Sequence, residues 1–200
     1  MQRMGLTGGI ASGKSTVAAM LRELGFPVLA ADLVSHKLME PGQAAHDEIL
    51  LEFGAELADA HGQIDRAKLA AIVFADPVKL AKLNQILHPR VEQATFRQFA
   101  EWERDLGRDA VFVEAALLVE AGFVKNLDGL VVAFCRPEQQ LERLLARGMS
   151  EVEARRRIAA QMPAGEKLKY ATERIDCSGT IEETRAQVKA LAGKLHGSKS

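Results

Sequence analysis

A glycine-rich segment near the amino terminus limits the possible folds of this chain more than any other feature. It reads GGIASGKST and covers residues 8–16. Gly8 is followed by four residues and then by Gly13, Lys14 and Ser15, which is the spacing of the phosphate-binding loop of nucleotide hydrolases and kinases. An apolar run precedes the segment and a helical period of apolar residues follows it, so a strand and a helix flank the loop.

The residue types of this loop predict that it binds ATP together with Mg²⁺. Glycines let consecutive backbone N–H groups curl around phosphate oxygens, and the helix that begins near Lys14 adds the positive end of its dipole. Lys14 would reach the β- and γ-phosphates, and the Ser15 hydroxyl would be a ligand of Mg²⁺. We expect the nucleotide to contact Gly9, Ile10, Ala11, Ser12, Gly13, Lys14, Ser15 and Thr16.

Strand patterns alternate with helix patterns along much of the chain. Short apolar runs predict strands at residues 1–6, 26–32, 110–114, 130–135 and 174–177. Val188, Leu191, Ala192 and Leu195 mark one face of a closing amphipathic helix. We therefore predict an α/β fold with three layers (α/β/α) and a five-stranded parallel sheet, the architecture of P-loop nucleotide-binding proteins.

Two segments interrupt this alternation. From residue 33 to about 106 no strand-like run occurs, and helical periodicity covers residues 46–57, 66–75, 77–88 and 90–106, which predicts a helical insertion domain. Residues 142–174 contain eight Lys or Arg against five Asp or Glu, which favours a mobile, arginine-bearing lid over residues 142–171. The nucleotide-binding core then comprises residues 1–32, 107–141 and 172–200.

Charged residues near the predicted strand ends are candidates for catalysis. Asp32 is expected to end the second strand, where ligands gather in a doubly wound sheet, and could accept a proton from a substrate hydroxyl. Alternatively, it caps the helix that starts at Leu33. Glu114 ends the third strand, and either orients the water shell of the metal or serves as an ordinary cap. Arg147, next to Gly148, is the best candidate for a lid arginine that closes over the γ-phosphate.

The overall composition disfavours several other classes of function. The 26 Lys and Arg nearly balance the 27 Asp and Glu, so no general basicity favours nucleic acid as a partner. Cys135 and Cys177 are too far apart for a CxxC motif, and two buried, reduced thiols are the simpler interpretation. No apolar run is long enough for a signal peptide or a membrane span, so we expect a cytoplasmic protein without a membrane partner.

Taken together, several motifs resemble those of the dephospho-coenzyme A kinase family, and the similarity covers nearly the whole chain. The front loop alone is shared by many proteins, whereas its combination with the later motifs is more specific. These motifs are GLTGGIASGKST (5–16), AAD (30–32), EPG (40–42), HP (88–89), LLVE (117–120), ARRRIAAQ (154–161) and IDCSG (175–179).

The resemblance implies transfer of the γ-phosphate of ATP to the 3′-hydroxyl of the dephospho-coenzyme A ribose. It implies that the helical insertion binds the coenzyme A side and that the lid closes over ATP. It also implies Asp32 as the general base, Lys14 and Ser15 as phosphate and Mg²⁺ ligands, and Arg147 as the lid arginine. Three further positions match motifs near the acceptor: Thr7, His88 and Glu120. The expected partner is this small molecule, bound by a monomer or weak homo-oligomer.

The sequence departs from the family pattern at positions that bear on the site. Ala11 replaces a loop glycine, which is acceptable at negative φ and strained at positive φ. Ala30 replaces the first acid of a usual Asp-Ala-Asp, so Asp32 is the sole candidate base. Cys177 and Ser178 replace an asparagine-rich pair near the expected adenine pocket.

Two other functions share some of these features. Another P-loop kinase, acting on a nucleoside monophosphate or a sugar acid, would have the same core, although the long insertion after Asp32 favours a larger acceptor. A nucleotide-binding regulatory switch is the alternative from a different class. Guanine-specific switches carry an N-K-x-D motif, which this sequence lacks.

Overall fold

The computed structural model describes residues 1–197 and contains the predicted five-stranded parallel sheet. The order of the strands in the sheet is β2-β3-β1-β4-β5, and β1 pairs in parallel with both β3 and β4. Parallel neighbours cannot be joined by a tight turn, so crossover segments connect them. Both faces of the sheet are covered, because every residue of β3 is buried. The strands are β1 (Gln2–Thr7), β2 (Val28–Ala30), β3 (Ala110–Glu114), β4 (Gly129–Phe134) and β5 (Glu173–Asp176).

The helices follow the predicted periodicity and begin at recognisable signals. Helix α6 has proline at its first position, and α7 follows Ser150, whose hydroxyl accepts the Glu153 amide at 3.3 Å. In the described residues the helices are α1 (Lys14–Glu23), α2 (Ala31–Leu38), α3 (His46–Phe53), α4 (Arg66–Ala75), α5 (Pro77–Leu106), α6 (Pro137–Ala146), α7 (Glu151–Ala159), α8 (Ala164–Lys167) and α9 (Ile181–Gly197).

The chain divides into two compact units. One comprises Met1–Leu29 with Phe99–Ser200, and its core packs α1 and α9 on the sheet through residues such as Leu21, Phe112 and Leu191. The other, Ala30–Gln98, is helical and has its own apolar core. The functional division into core, acceptor domain and lid stays a prediction, and residues 198–200 of the predicted core lie outside the described residues.

Helix α5 differs from the sequence prediction of two separate helices. It runs continuously for 30 residues with Pro89 inside it. Proline removes a backbone donor and normally breaks a helix. Here the Arg90 guanidinium donates to the Ile86 carbonyl at 2.7 Å, one turn before it, and to the Ala44 carbonyl at 3.1 Å. These side-chain bonds hold the segment around the proline, and periodicity alone does not reveal them.

The second strand is shorter than predicted, which changes the setting of Asp32. Pairing ends at Ala30, and α2 begins at Ala31. Asp32 therefore lies in the first turn of a helix rather than at the end of a strand, and Ala30, not Asp32, is the N-cap. A carboxylate in a first turn is stabilised by the helix dipole.

No helix within residues 1–197 is both long enough and apolar enough to cross a membrane.

Candidate active site

The glycine-rich loop joins β1 to α1 and is packed closely against the ends of β4 and β5. A Cβ on Gly8 would lie 2.3 Å from the Ala133 carbonyl oxygen. Gly13 has a φ of +100°, and a Cβ there would lie 2.7 Å from the Cys177 Sγ. Both positions therefore require glycine. Gly8 has no room for a Cβ, and Gly13 has neither the room nor a backbone conformation that suits other residues.

Ala11 occupies a strained position in this loop. Its φ is +57°, and it is the one non-glycine residue with positive φ among residues 1–197. The left-handed region costs an L-residue about 1–2 kcal/mol relative to the right-handed one. The sequence is compatible with either sign of this φ, and the structure has the positive, strained value. Local backbone strain of this kind persists only where surrounding contacts impose it.

Ser12 carries an unpaired polar atom inside the loop. The residue is 2% exposed, and its hydroxyl is the one buried side-chain N or O atom without a hydrogen-bond partner in the described part of the chain. Buried polar groups are almost always paired, so such an atom calls for an explanation. The unpaired Ser12 hydroxyl lies within the glycine-rich loop, and such a donor is suited to a site that binds an anion.

Glu114 joins the catalytic candidates of the loop into one cluster. Its carboxylate, 8% exposed as a residue, accepts the Lys14 ammonium at 2.8 Å and the Ser15 hydroxyl at 3.3 Å. Arg22 lies 3.6 Å from its other oxygen. The hydroxyl and carboxylate oxygens together are the donor type that Mg²⁺ prefers. Of the two roles that the sequence left open for Glu114, the contacts with Lys14 and Ser15 favour the one beside the metal.

Asp32 and His88 belong to the second unit. Asp32 is exposed, and its carboxylate makes no hydrogen bond or ion pair with the described residues, so its oxygens are available to a ligand. His88 lies in α5 and is partly buried, which lowers the pKa of its imidazole. It is therefore neutral at pH 7 and offers a hydrogen bond without charge.

Thr7 and Glu120 contact protein groups in the first unit. The buried Thr7 hydroxyl donates to the Ala116 carbonyl at 3.2 Å. Glu120 pairs with the fully buried Lys167 ammonium at 2.8 Å and accepts the Met162 amide at 3.1 Å. Their predicted contact with the acceptor stays a prediction, whereas the present contacts of Glu120 tie the 162–167 segment to the core.

The predicted lid contains α7 and α8, together with the end of α6. Arg147 is the C-cap of α6, fully on the surface, and Gly148 follows it at a φ of +82°. The arginines of α7 at 155, 156 and 157 pair instead with glutamates on the same helix. Arg156 and Arg157 also lower the pKa of Glu153. Arg147 thus remains available to a ligand, in contrast with its neighbours on α7.

Cys177 and Ser178 form part of the packing around the loop. Cys177 is buried, and burial raises the pKa of its thiol to about 11. The Ser178 hydroxyl accepts the Arg136 amide at 3.1 Å, at the start of α6. Cys135 and Cys177 are both free and buried, as expected from the sequence.

Sequence reasoning did not identify three side chains that contact the loop backbone: Gln140, Arg143 and Gln161. Gln161 stood inside a quoted motif and Arg143 in the basic stretch, but no spacing rule connects them with residues more than 100 positions away.

Comparisons with known proteins give one consistent result for the whole chain. A family model described as dephospho-CoA kinase matches residues 2–183. The dephospho-CoA kinase of Aquifex aeolicus is 46% identical, with 98% of each chain covered. That of Geobacillus kaustophilus is 45% identical over 94% of each.

Solved structures agree with this result. Dephospho-CoA kinase from Campylobacter jejuni matches with a TM-score of 0.74 and 26% identity, covering 99% of this chain and 98% of that one. Shikimate kinase from Aquifex aeolicus, at 18% identity and a TM-score of 0.51 over 98% and 99% of the two chains, shares the fold.

Proposed function

Since the chain belongs to the dephospho-CoA kinase family, we propose that it transfers the γ-phosphate of ATP to the ribose 3′-hydroxyl of dephospho-coenzyme A, with Lys14, Asp32 and Arg147 as catalytic residues. Membership of the family establishes the reaction as phosphorylation of dephospho-coenzyme A to coenzyme A. The position of transfer, the use of Mg²⁺ and the role of each residue are the proposal.

The observation that carries it is the cluster of Lys14, Ser15 and Glu114 beside the glycine loop. The Lys14 ammonium forms an ion pair with the Glu114 carboxylate at 2.8 Å. A bound triphosphate offers Lys14 a stronger anionic partner, and the loop residues from Gly9 to Thr16 supply backbone donors around it. The unpaired Ser12 hydroxyl adds a further donor.

Ser15 and Glu114 are the residues that would hold Mg²⁺. Their oxygens already converge, since the Ser15 hydroxyl lies 3.3 Å from the Glu114 carboxylate. The chemistry that the metal supplies when bound is neutralisation of charge on the β- and γ-phosphates. Lys14 contributes fixed positive charge to the same oxygens.

Transfer itself needs a nucleophile, a proton acceptor and a leaving group. The 3′-oxygen forms a bond to the γ-phosphorus while the bond between that phosphorus and the β,γ-bridging oxygen breaks, which releases ADP. Asp32 takes the proton of the hydroxyl, a role supported by its exposed and unpaired carboxylate. Arg147 meets the charge of the transferred group, a role supported by its exposed position beside Gly148.

The acceptor side of the proposal rests on the second unit, Ala30–Gln98, which overlaps the predicted acceptor domain of residues 33–106. It contributes both Asp32 and the neutral imidazole of His88. Thr7 and Glu120 remain predicted acceptor residues. Because both use their polar atoms within the protein, a supporting role for them is favoured over direct contact. We place the reaction in the cytoplasm, with the enzyme acting as a monomer or weak homo-oligomer.

A panel of acceptors tests the function. The chain is incubated with ATP, Mg²⁺ and, separately, dephospho-coenzyme A, AMP and shikimate, and mass spectrometry identifies which acceptor gains a phosphate. Of these three acceptors, we expect only dephospho-coenzyme A to react. Its 2′-deoxy analogue should also gain a phosphate, whereas its 3′-deoxy analogue should remain unchanged. Lys14→Ala serves as the inactive control. Phosphorylation of the 3′-deoxy analogue, or of AMP or shikimate in its place, would overturn the assignment.

A further inference from the structure

We propose that Gln140, Arg143 and Gln161 are positioning residues, each of which fixes one of three consecutive peptide planes at the tip of the phosphate loop. These planes run from Gly9 to Ser12. The inference rests on the proposed function only in that the loop carries the phosphates of ATP. None of the three side chains needs to touch the nucleotide.

The first plane joins Gly9 to Ile10. The Ile10 N–H donates to the Gln161 side-chain oxygen at 2.7 Å. On the opposite side of the same peptide, the Gly9 carbonyl accepts the Ser12 N–H at 3.2 Å. In a trans peptide the N–H and C=O point in opposite directions, so this plane is held from both sides.

The second plane joins Ile10 to Ala11. The Ile10 carbonyl accepts the Gln140 side-chain amide at 2.8 Å. The Ala11 N–H of the same peptide therefore points away from Gln140, and it makes no hydrogen bond within the described residues. Gln140 thus holds the Ile10 carbonyl on its own side of the loop and leaves the Ala11 N–H available on the opposite side.

The third plane joins Ala11 to Ser12. The Ala11 carbonyl accepts one arm of the Arg143 guanidinium at 3.1 Å, and the other arm donates to the Cys177 carbonyl at 2.7 Å. Arg143 therefore links the loop to the end of β5 through a rigid fork. This contact also explains how Ala11 keeps its unfavourable φ of +57°.

The orientation of these planes matters because a carbonyl oxygen facing a phosphate repels it, whereas an N–H attracts it. Glycine-rich backbone has many accessible conformations, and a flipped peptide would exchange a donor for an acceptor. Donors that are fixed before the reaction stabilise developing charge without reorganisation. Gln140 and Arg143 hold the carbonyl oxygens of Ile10 and Ala11 on the outside of the loop.

The third contact, from Gln161, connects the loop to the segment after α7. Its neighbour Met162 donates its amide to Glu120 at 3.1 Å, and Glu120 pairs with the buried Lys167. Gln161 is therefore held in place by the core and not only by α7.

Steady-state kinetics on Gln140→Leu and Arg143→Lys test the two carbonyl contacts. We expect kcat/KM for ATP to fall by about tenfold to a hundredfold in each, with KM for dephospho-coenzyme A unchanged. Arg143→Lys keeps the positive charge and loses the fork, so wild-type kinetics in this variant would show that charge alone matters and would overturn the proposal. Thr172→Val is the control, because the Thr172 hydroxyl contacts the N–H and C=O of Leu130 at 2.9 and 3.1 Å, near the start of β4 and away from the end that packs on the loop.

Hydrogen exchange tests the Gln161 contact without catalysis. In the nucleotide-free protein, we expect Gln161→Leu to speed exchange at the Ile10 amide by about tenfold, while Gln161→Glu, which retains an acceptor, keeps it slow. Unchanged exchange in Gln161→Leu would contradict the assignment, and the thermal midpoint of each variant shows that it is folded.

These outcomes are separable from failure of the proposed function. Exchange at Ile10 and calorimetric ADP affinity, expected to weaken in Gln140→Leu, require no acceptor substrate. If the wild type leaves dephospho-coenzyme A unreacted while these variants still change loop exchange and ADP affinity, the function fails and the positioning role stands. If the wild type reacts and neither property changes, the positioning role fails.

Discussion

The Glu114 carboxylate and the phosphates of ADP compete for the Lys14 ammonium. Replacing Glu114 with glutamine removes the charged competitor within the protein. The Lys14 ammonium lies 2.8 Å from the Glu114 carboxylate, with the two side chains 15% and 9% exposed. A hydrogen bond to a charged group contributes about 1.5–3 kcal/mol net. ADP must break this contact to reach Lys14, so Glu114 opposes the binding of nucleotide that carries no metal.

The expected magnitude follows from that competition. If half of the contact energy, about 0.75–1.5 kcal/mol, no longer opposes binding after the substitution, Glu114→Gln binds ADP about fourfold to twelvefold more tightly in the absence of Mg²⁺. With Mg²⁺ present the gain in ADP affinity disappears, because the variant lacks the carboxylate beside the metal. For the same reason kcat falls by about tenfold to a hundredfold. The unliganded variant also loses about 1–3 kcal/mol of unfolding free energy, since Lys14 loses its anionic partner.

Isothermal titration of ADP with EDTA or with excess Mg²⁺ measures the two affinities directly. Glu173→Gln is the matched control, because Glu173 forms a 2.8 Å ion pair with Lys194 on the surface. We expect this control to bind ADP as the wild type does in both conditions. ADP binding that is weaker or unchanged in Glu114→Gln without Mg²⁺ would refute the competition.

Three further substitutions test other residues discussed above. Asp32→Asn is expected to leave ATP affinity nearly unchanged while kcat falls by about two orders of magnitude, and equal losses in calorimetric affinity and turnover would count against a base role. Ala11→Gly relieves the strain of the positive φ and should raise the free energy of unfolding by about 0.5–1 kcal/mol, after the entropic cost of glycine is subtracted. Urea denaturation measures this free energy, and a value below that of the wild type would mean that the loop is unstrained. Burial lowers the pKa of His88 below 6.5, so its contribution to stability is fully present above pH 6.5 and is lost as the pH falls through the lower folded value. His88→Gln should therefore flatten the dependence of unfolding free energy on pH in that window, and an unaltered slope would disprove the shift.

Local patterns were sufficient to predict most of the sheet and the loop. The strand at 110–114 and the buried face of α9 were predicted correctly, because the apolar residues that a regular element buries recur in the sequence in a pattern set by that element. The spacing of Gly8, Gly13 and Lys14 identified the loop for a similar reason, since its backbone shape depends on neighbouring residues.

Features that depend on distant contacts were harder to predict. Pro89 argues for a break, yet α5 continues through it, and the Arg90 side chain beside it binds the Ile86 and Ala44 carbonyls. The strand before Asp32 ended early because pairing with β3, rather than apolar character, decides its length. The contacts of Gln140 and Gln161 join side chains to backbone across more than 100 residues, and no periodicity accompanies them.

The state of the two cysteines has a practical consequence for spectroscopy. Only a thiolate reacts with maleimide reagents, and burial raises the pKa of the Cys177 thiol to about 11 and also raises that of Cys135. A cysteine introduced at an exposed residue such as Arg147 or Leu33 would therefore be labelled selectively at neutral pH. Fluorophore or spin-label pairs could thus report distances in the protein without removal of either native cysteine.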